Sequence, residues 1–241
     1  MTLNDIKDRD SGKIGMVIGL GPSLNEVLPY IEGLSENARD KVSFYCCNLF
    51  NQMTKIKTDY WVVTNNQPKM SLKKAHGTYN SQPESIFLFA SRINGFSEAE
   101  AKKLLNLKYI AMSDNGSGEY DLPLTLKKYT SSEKKYGAVH SVIIHQIALS
   151  IITGCKEIFI SGVDLDYSKG YVKPGVHQEG VSLGKTFMNS KARKDTIDKI
   201  VLLKECAEKV DCNLYTLNPS GPLSKVLEVK NTGDIDKIIK K

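Results

Sequence analysis

Ile14-Gly15-Met16-Val17-Ile18-Gly19-Leu20-Gly21-Pro22-Ser23-Leu24-Asn25 is the stretch whose reading decides the fold. A short run rich in β-branched residues breaks into glycines and then into a segment carrying Leu24, Val27, Leu28 and Ile31 at helical spacing. That sequence of patterns is strand, tight loop, helix. Such a loop aims backbone N–H groups and a helix N-terminus at one point in space, and both favour an anion such as phosphate. Pro22 suits a first helical position and Ser23 suits a cap. The third glycine of Gly-x-Gly-x-x-Gly and the Gly-Lys-Ser/Thr end of a Walker loop are both missing, and a plain strand-to-helix turn uses the same residues. The loop points to a phosphate-bearing ligand and leaves the reaction open.

Outward from this stretch the same alternation repeats. Strands are predicted over Lys41–Cys47, ending on Asn48; Asp59–Thr64, ending on Asn65; Ser85–Ala90; Leu107–Met112; Lys156–Gly162; and Asn213–Leu217. Helices are predicted over Ser97–Leu105, Gly137–Thr153, Lys191–Lys209 and Leu223–Val229, with a tail from Lys230 that frays. Gly137–Thr153 is apolar nearly all round, the mark of a buried central helix, and its His140 and His145 read as core residues. Gly154 links that helix directly to the next strand, which is half of a right-handed crossover in a parallel sheet. The expected fold is α/β: one Rossmann-like domain over residues 1–241, with a mostly parallel six- or seven-stranded sheet and helices on both faces. Residues 66–84 and Ser113–Lys135 read as irregular. Residues 166–189, rich in Gly, Lys, Pro and Ser, read as a lid loop.

Ligands of open parallel sheets bind at the carboxyl ends of the strands. Gly19, Gly21, Pro22, Ser23, Asn48, Asn65, Gly162, Asp164, Asn218 and Ser220 are therefore expected to line one nucleotide-sized cleft. Asparagine offers two donors and an acceptor, which suits a base edge, a ribose or a phosphate, although an asparagine also ends a strand with a local turn. Asp164 and Asp166, two residues apart at a strand end, have the spacing to hold a divalent cation.

Composition excludes several classes. No run reaches the ~18 to 20 apolar residues of a membrane span, and the polar first dozen residues do not read as a secretory signal. Five cysteines without Cys-x-x-Cys spacing fit a reduced, cytoplasmic protein better than a disulfide framework or zinc site. The net charge of +6 suits anionic ligands, yet the lysines are not interleaved with aromatics, so nucleic acid is not an expected partner. No Ser/His/Asp triad, P-loop or kinase motif set is present.

Several motifs occur in a telling order: Gly-Leu-Gly-Pro-Ser-Leu at 19–24, Cys-Asn-Leu-Phe at 47–50, Asn65, and Gly-Cys-Lys-Glu-Ile-Phe-Ile-Ser-Gly-Val-Asp at 154–164. Tyrosines then enter the lid, and Leu-Tyr-x-Leu-x-Pro-Ser follows at 214–220. In this order, over most of the chain, the sequence resembles the bacterial sialyltransferases of glycosyltransferase family 42. The resemblance implies an enzyme that moves a nonulosonic sugar, with inversion, from a CMP donor to a glycan acceptor without a cofactor. It implies that the first loop, Asn48 and Asn65 bind the nucleotide, that Tyr167 and Tyr171 stabilise the leaving phosphate, and that a lid histidine, here His177, is the general base. The chain departs from the family pattern. Its first tyrosine follows Asp164 one position late, the two tyrosines are closer together, and the lid is shorter. Where the family's base would lie, just before the helix after the lid, this chain has Asn189-Ser190-Lys191 and Asp195.

The Gly-Pro-Ser-Leu loop and the Asp164 strand are also similar to the 6-hydroxymethylpterin diphosphokinase-like domain. That resemblance implies magnesium, held by Asp164 and Asp166, and a triphosphate. A catalytically silent nucleotide-binding module is the third reading. Expected partners are the CMP-sugar and the glycan; a homo-oligomer is expected, and a peripheral membrane contact is left open.

Overall fold

Short runs that are buried on both faces build the sheet, as parallel strands covered by helices require. The computed structural model describes residues 6–47, 50, 56–63, 86–89, 110–112, 141–166 and 190–240. The strands are β1 (Ile14–Ile18), β2 (Val42–Cys47), β3 (Tyr60–Val63), β4 (Ile86–Phe89), β5 (Ile110–Met112), β6 (Glu157–Ser161), β7 (Asn213–Thr216) and β8 (Glu228–Val229). They form one eight-stranded sheet in the order β5-β4-β3-β2-β1-β6-β7-β8. Every pairing is parallel, with Ile14 opposite Val42 on one side of β1 and Glu157 on the other.

The described helices are α1 (Leu24–Glu32), α2 (Glu36–Asp40), α3 (Ile143–Ile152), α4 (Ser190–Glu208) and α5 (Thr232–Ile239). Side chains of successive strand residues face opposite ways, so the two faces are read directly from the sequence. Ile14, Met16 and Ile18 of β1 and Phe44 of β2 share one apolar cluster with Leu24, Val27 and Ile31 of α1 and Ile235 of α5. Val17, Tyr45, Ile158 and Ile160 share the other with Ile144 and Ile147 of α3 and Leu203 of α4. Each aliphatic side chain fully buried this way contributes about 1.5–3 kcal/mol. The Rossmann-like α/β class expected from the sequence is the observed one.

The differences lie near the C-terminus. The helix expected at Leu223–Val229 is a 3₁₀ turn, Pro222–Lys225, followed by β8. β8 forms because the outer edge of β7 offers free backbone groups, and it pairs there with Tyr215 and Thr216. The tail expected to fray is instead α5, held by a capping box between Asn231 and Asp234 and by the fully buried Ile235. The expected central helix is described from Ile143 onward, where all ten residues are buried. The helix expected at Ser97–Leu105, the irregular segments at 66–84 and Ser113–Lys135, and the lid from residue 167 to 189 lie outside the described residues.

At the end of the sheet where the strands begin, a buried polar network ties β1, β2 and β6 together. The Tyr45 hydroxyl donates to Asp10 Oδ2 at 3.0 Å and also meets Thr153 Oγ1 and, at 3.3 Å, Cys155 Sγ. The Tyr60 ring stacks on Tyr45 with centroids 4.6 Å apart. All five cysteines are free and buried. Burial pushes the thiols of Cys47, Cys155 and Cys212 up to about 12, so they are protonated and inert at neutral pH.

Candidate active site

β1 stands where the strand order reverses, with β2 on one side and β6 on the other, and with α1 and α3 on opposite faces. In an open α/β sheet this is the place where ligands bind. Here the two exit loops touch. Gly19 N–H donates to Ser161 O and Gly21 N–H to Gly162 O, both at 2.8 Å. A Cβ at Gly19 would stand 2.3 Å from Gly162 O, and one at Gly162 would stand 2.4 Å from Gly19 O. Gly162 also has φ +68°, which glycine alone adopts freely.

Beyond this contact, the Asp164 carboxylate joins three strand exits. Its Oδ2 accepts from Ser23 N–H at 3.1 Å and from Ser23 Oγ at 3.0 Å. Its Oδ1 accepts from Asn218 Nδ2 at 2.9 Å, and Asn218 Oδ1 in turn accepts from Ser220 N–H at 3.1 Å. A Cβ at Gly21 would lie 2.1 Å from Asp164 Oδ2. Leu165, the next residue, is buried with φ +50°, a strained backbone for a side chain of its size. The anion at the N-terminus of α1 is therefore the chain's own carboxylate, placed where the helix dipole and N–H donors favour it. Three donors already fill most of that carboxylate's lone-pair sites. Among the described residues no group of three His, Cys, Asp or Glu side chains is arranged to hold a metal ion.

Gly19, Gly21, Pro22, Ser23, Gly162, Asp164 and Ser220 are thus brought to one rim by the exits of β1, β6 and β7. Ser220 joins it through its backbone. β2 and β3 end at the same edge, at Cys47 and Val63. Asn48, Asn65, Tyr167, Tyr171 and His177 lie outside the described residues.

Compared with solved structures, the chain matches sialyltransferases. CstII from Campylobacter jejuni, in complex with the substrate analogue CMP-3FNeuAc, matches at 20% identity and a TM-score of 0.58, over 90% of this chain and 86% of that one. The chain shares its fold with this sialyltransferase. The monofunctional alpha-2,3-sialyltransferase Cst-I from Campylobacter jejuni matches at 17% identity and a TM-score of 0.58, over 92% of this chain and 81% of that one. CST-II in complex with a trisaccharide acceptor and CMP matches at 19% identity and 0.57, over 90% and 86%. No protein-family model matches the sequence, and no curated protein matches it significantly.

Within this fold, one buried polar residue has no counterpart among the residues expected from the sequence. Gln146 of α3 is fully buried, and its Nε2 donates to Ile18 O at 2.9 Å and to Tyr45 O at 2.6 Å, near where β1 and β2 end. Its Oε1 is buried without a hydrogen-bond partner. The available signal was a lone amide in an apolar helix. Asn218 stands at the cleft where the sequence puts it, and the structure adds its partner, Asp164. His145 behaves as a core residue: burial, and then the charge of Lys199, bring its pKa down to about 4, so its imidazole is uncharged at neutral pH. No described helix of the sialyltransferase fold here is long and apolar enough to cross a membrane.

Proposed function

We propose that the chain is a glycosyltransferase that moves a nonulosonic sugar from a CMP donor to a glycan acceptor, with inversion and without a metal. The observation that carries this reading is the match over nine-tenths of the chain to sialyltransferases whose structures hold CMP, a CMP-sugar analogue or a trisaccharide acceptor. The order of motifs along the sequence supports it independently. In this reading Asn48, Asn65 and the rim at Gly19, Gly21, Pro22, Ser23, Gly162 and Ser220 hold the nucleotide, and Asp164 holds the rim together beneath it.

The chemistry follows from the bond that breaks. The sugar leaves its phosphate through an oxocarbenium-like state, the electron pair of the cleaved C–O bond goes to the phosphate, and the hydroxyls of Tyr167 and Tyr171 donate to the oxygens where charge develops. The acceptor hydroxyl attacks from the opposite face and gives its proton to His177, whose unperturbed pKa near 6.5 suits a base at neutral pH. The hydrogen bonds that fill Asp164 speak for a positioning role over a metal-ligand role, and the diphosphokinase resemblance has no counterpart among these matches.

The test is transfer from CMP-sialic acid to a glycan, with and without chelator. His177→Ala is expected to lower the rate by ~10²-fold or more, and chelator to change nothing. Asn48→Ala is expected to weaken CMP binding by about 1–3 kcal/mol. Full activity in His177→Ala removes that residue as the base, and loss of activity with chelator moves the reading to a metal-dependent enzyme built on Asp164 and Asp166.

A further inference from the structure

The Asn218-Pro219-Ser220-Gly221 loop after β7 is built to hold one amide in one orientation. Asn218 Nδ2 faces a carboxylate and must be the donor; Asn218 Oδ1 faces the Ser220 N–H and must be the acceptor. The amide cannot be flipped without breaking both. Its own backbone N–H is also engaged, by Thr216 Oγ1 at 3.2 Å. Gly221 completes the seat, since a Cβ there would lie 2.5 Å from Asn218 Nδ2.

The partner of this amide is the same Asp164 whose other oxygen holds the backbone and hydroxyl of Ser23. Asp164 follows the left-handed Gly162 and precedes the left-handed Leu165, so its position is not set by regular strand geometry. It needs anchors on both sides. We propose that Asn218 is a positioning residue for the donor site: by holding Asp164 Oδ1 it turns Oδ2 onto Ser23, and so fixes the start of α1 against the exits of β6 and β7. This inference rests on the reading of this rim as the donor site, and gives Asn218, expected at the cleft from its place after β7, a role that its sequence position does not show.

A chemical consequence separates positioning from mere packing. Asn218→Asp keeps the shape but sets two carboxylates against each other, and one then takes up a proton at a raised pKa. Protonated, the introduced acid donates to Asp164 as the amide did; ionised, it repels it. Relative to wild type at the same pH, CMP affinity of Asn218→Asp is therefore expected to be ~10-fold or more lower at pH 8 and to approach it toward pH 5; the ratio cancels the ionisation of the CMP phosphate itself, whose second pKa is about 6. The exchange Asn218→Asp with Asp164→Asn keeps every hydrogen bond with the charge moved one residue, because the amide introduced at 164 accepts from Ser23 and donates to the carboxylate introduced at 218.

The experiment measures CMP binding by calorimetry and the thermal unfolding midpoint for the wild type, Asn218→Ala, Asn218→Asp and the exchange, at pH 8 and pH 5. Recovery of affinity at low pH in Asn218→Asp, and to within ~3-fold of wild type in the exchange, supports the proposal. An affinity of Asn218→Asp relative to wild type that is the same at both pH values, or an exchange that regains the midpoint but not CMP binding, overturns it; the latter means that the Asp164 charge meets the ligand itself. A wild type that binds no CMP overturns the donor reading instead. The order of midpoints, with the exchange above Asn218→Ala and Asn218→Asp lowest at pH 8, then judges the clamp alone, and any other order overturns it.

Discussion

Replacing Gly162 by alanine is the sharpest probe of the contact between the β1 and β6 exits. Two effects combine. The backbone at φ +68° is one that an L-residue adopts at about 1–2 kcal/mol. The added Cβ would also sit 2.4 Å from Gly19 O and 2.8 Å from Gly19 C, which are backbone atoms of a buried strand end and cannot rotate away. Relief requires the two exits to part, which breaks the 2.8 Å bonds Gly19 N–H to Ser161 O and Gly21 N–H to Gly162 O at about 0.5–1.5 kcal/mol each. The expected total is about 2–5 kcal/mol. Gly12 supplies the control, since it has φ +83° but nothing within 4 Å of its would-be Cβ, so Gly12→Ala isolates the backbone effect at about 1–2 kcal/mol. Urea unfolding of both variants gives the difference directly. If Gly162→Ala destabilises no more than Gly12→Ala does, the close approach of the exits is not real and the description of the rim falls with it.

Three further predictions concern the scaffold. His145 has its folded pKa lowered to about 4 from an ordinary 6.5, so the folded state takes up its proton last; the stability this residue contributes is complete above about pH 6.5 and is lost as the pH falls toward 4. The difference in unfolding free energy between wild type and His145→Leu should therefore shift in favour of the variant as pH drops through that window, and a pH-independent difference refutes it. Tyr45→Phe removes the hydroxyl shared by Asp10, Thr153 and Cys155 and should destabilise by about 1–3 kcal/mol in urea; an unchanged midpoint means that water replaces the hydroxyl. Asn231→Ala should loosen α5 by about 1 kcal/mol, seen as faster amide exchange over 232–239 with β1 unaffected; equal exchange in both proteins means that the capping box holds nothing.

The architecture was legible because its information is local. Ile14–Ile18, Val42–Cys47 and Glu157–Ser161 are largely apolar runs of strand length, and α3 is apolar nearly all round, so type and order follow from pattern alone. The C-terminal elements were less legible because their causes are not local. β8 is two residues long and exists only where the β7 edge is open, and α5 is an eight-residue helix anchored by Ile235 against the opposite cluster. At the site, the glycines at 19 and 21 were visible but their purpose was ambiguous. Glycine spacing reads alike whether a ligand or a second backbone comes close, and here the Gly162 loop, some 140 residues further on, is the close neighbour. Gln146 was silent, and Asn218 was placed at the cleft without a role, for the same reason: a single amide says nothing of its role until its partners are known.

The place of β1 in the sheet also has a meaning during synthesis. β1 is made early and finds β2 within a few dozen residues, yet Ile14 pairs on its other side with Glu157, whose codon comes about 140 positions later. At ~5–20 residues per second, the second edge of the most central buried strand waits roughly 7–30 s for its partner. During that time an apolar strand with free N–H and C=O groups stands open on the nascent chain, which is the form most able to pair with a neighbouring chain. Slower translation between codons 64 and 140 lengthens that exposure, although this segment contributes only β4 and β5 to the described sheet.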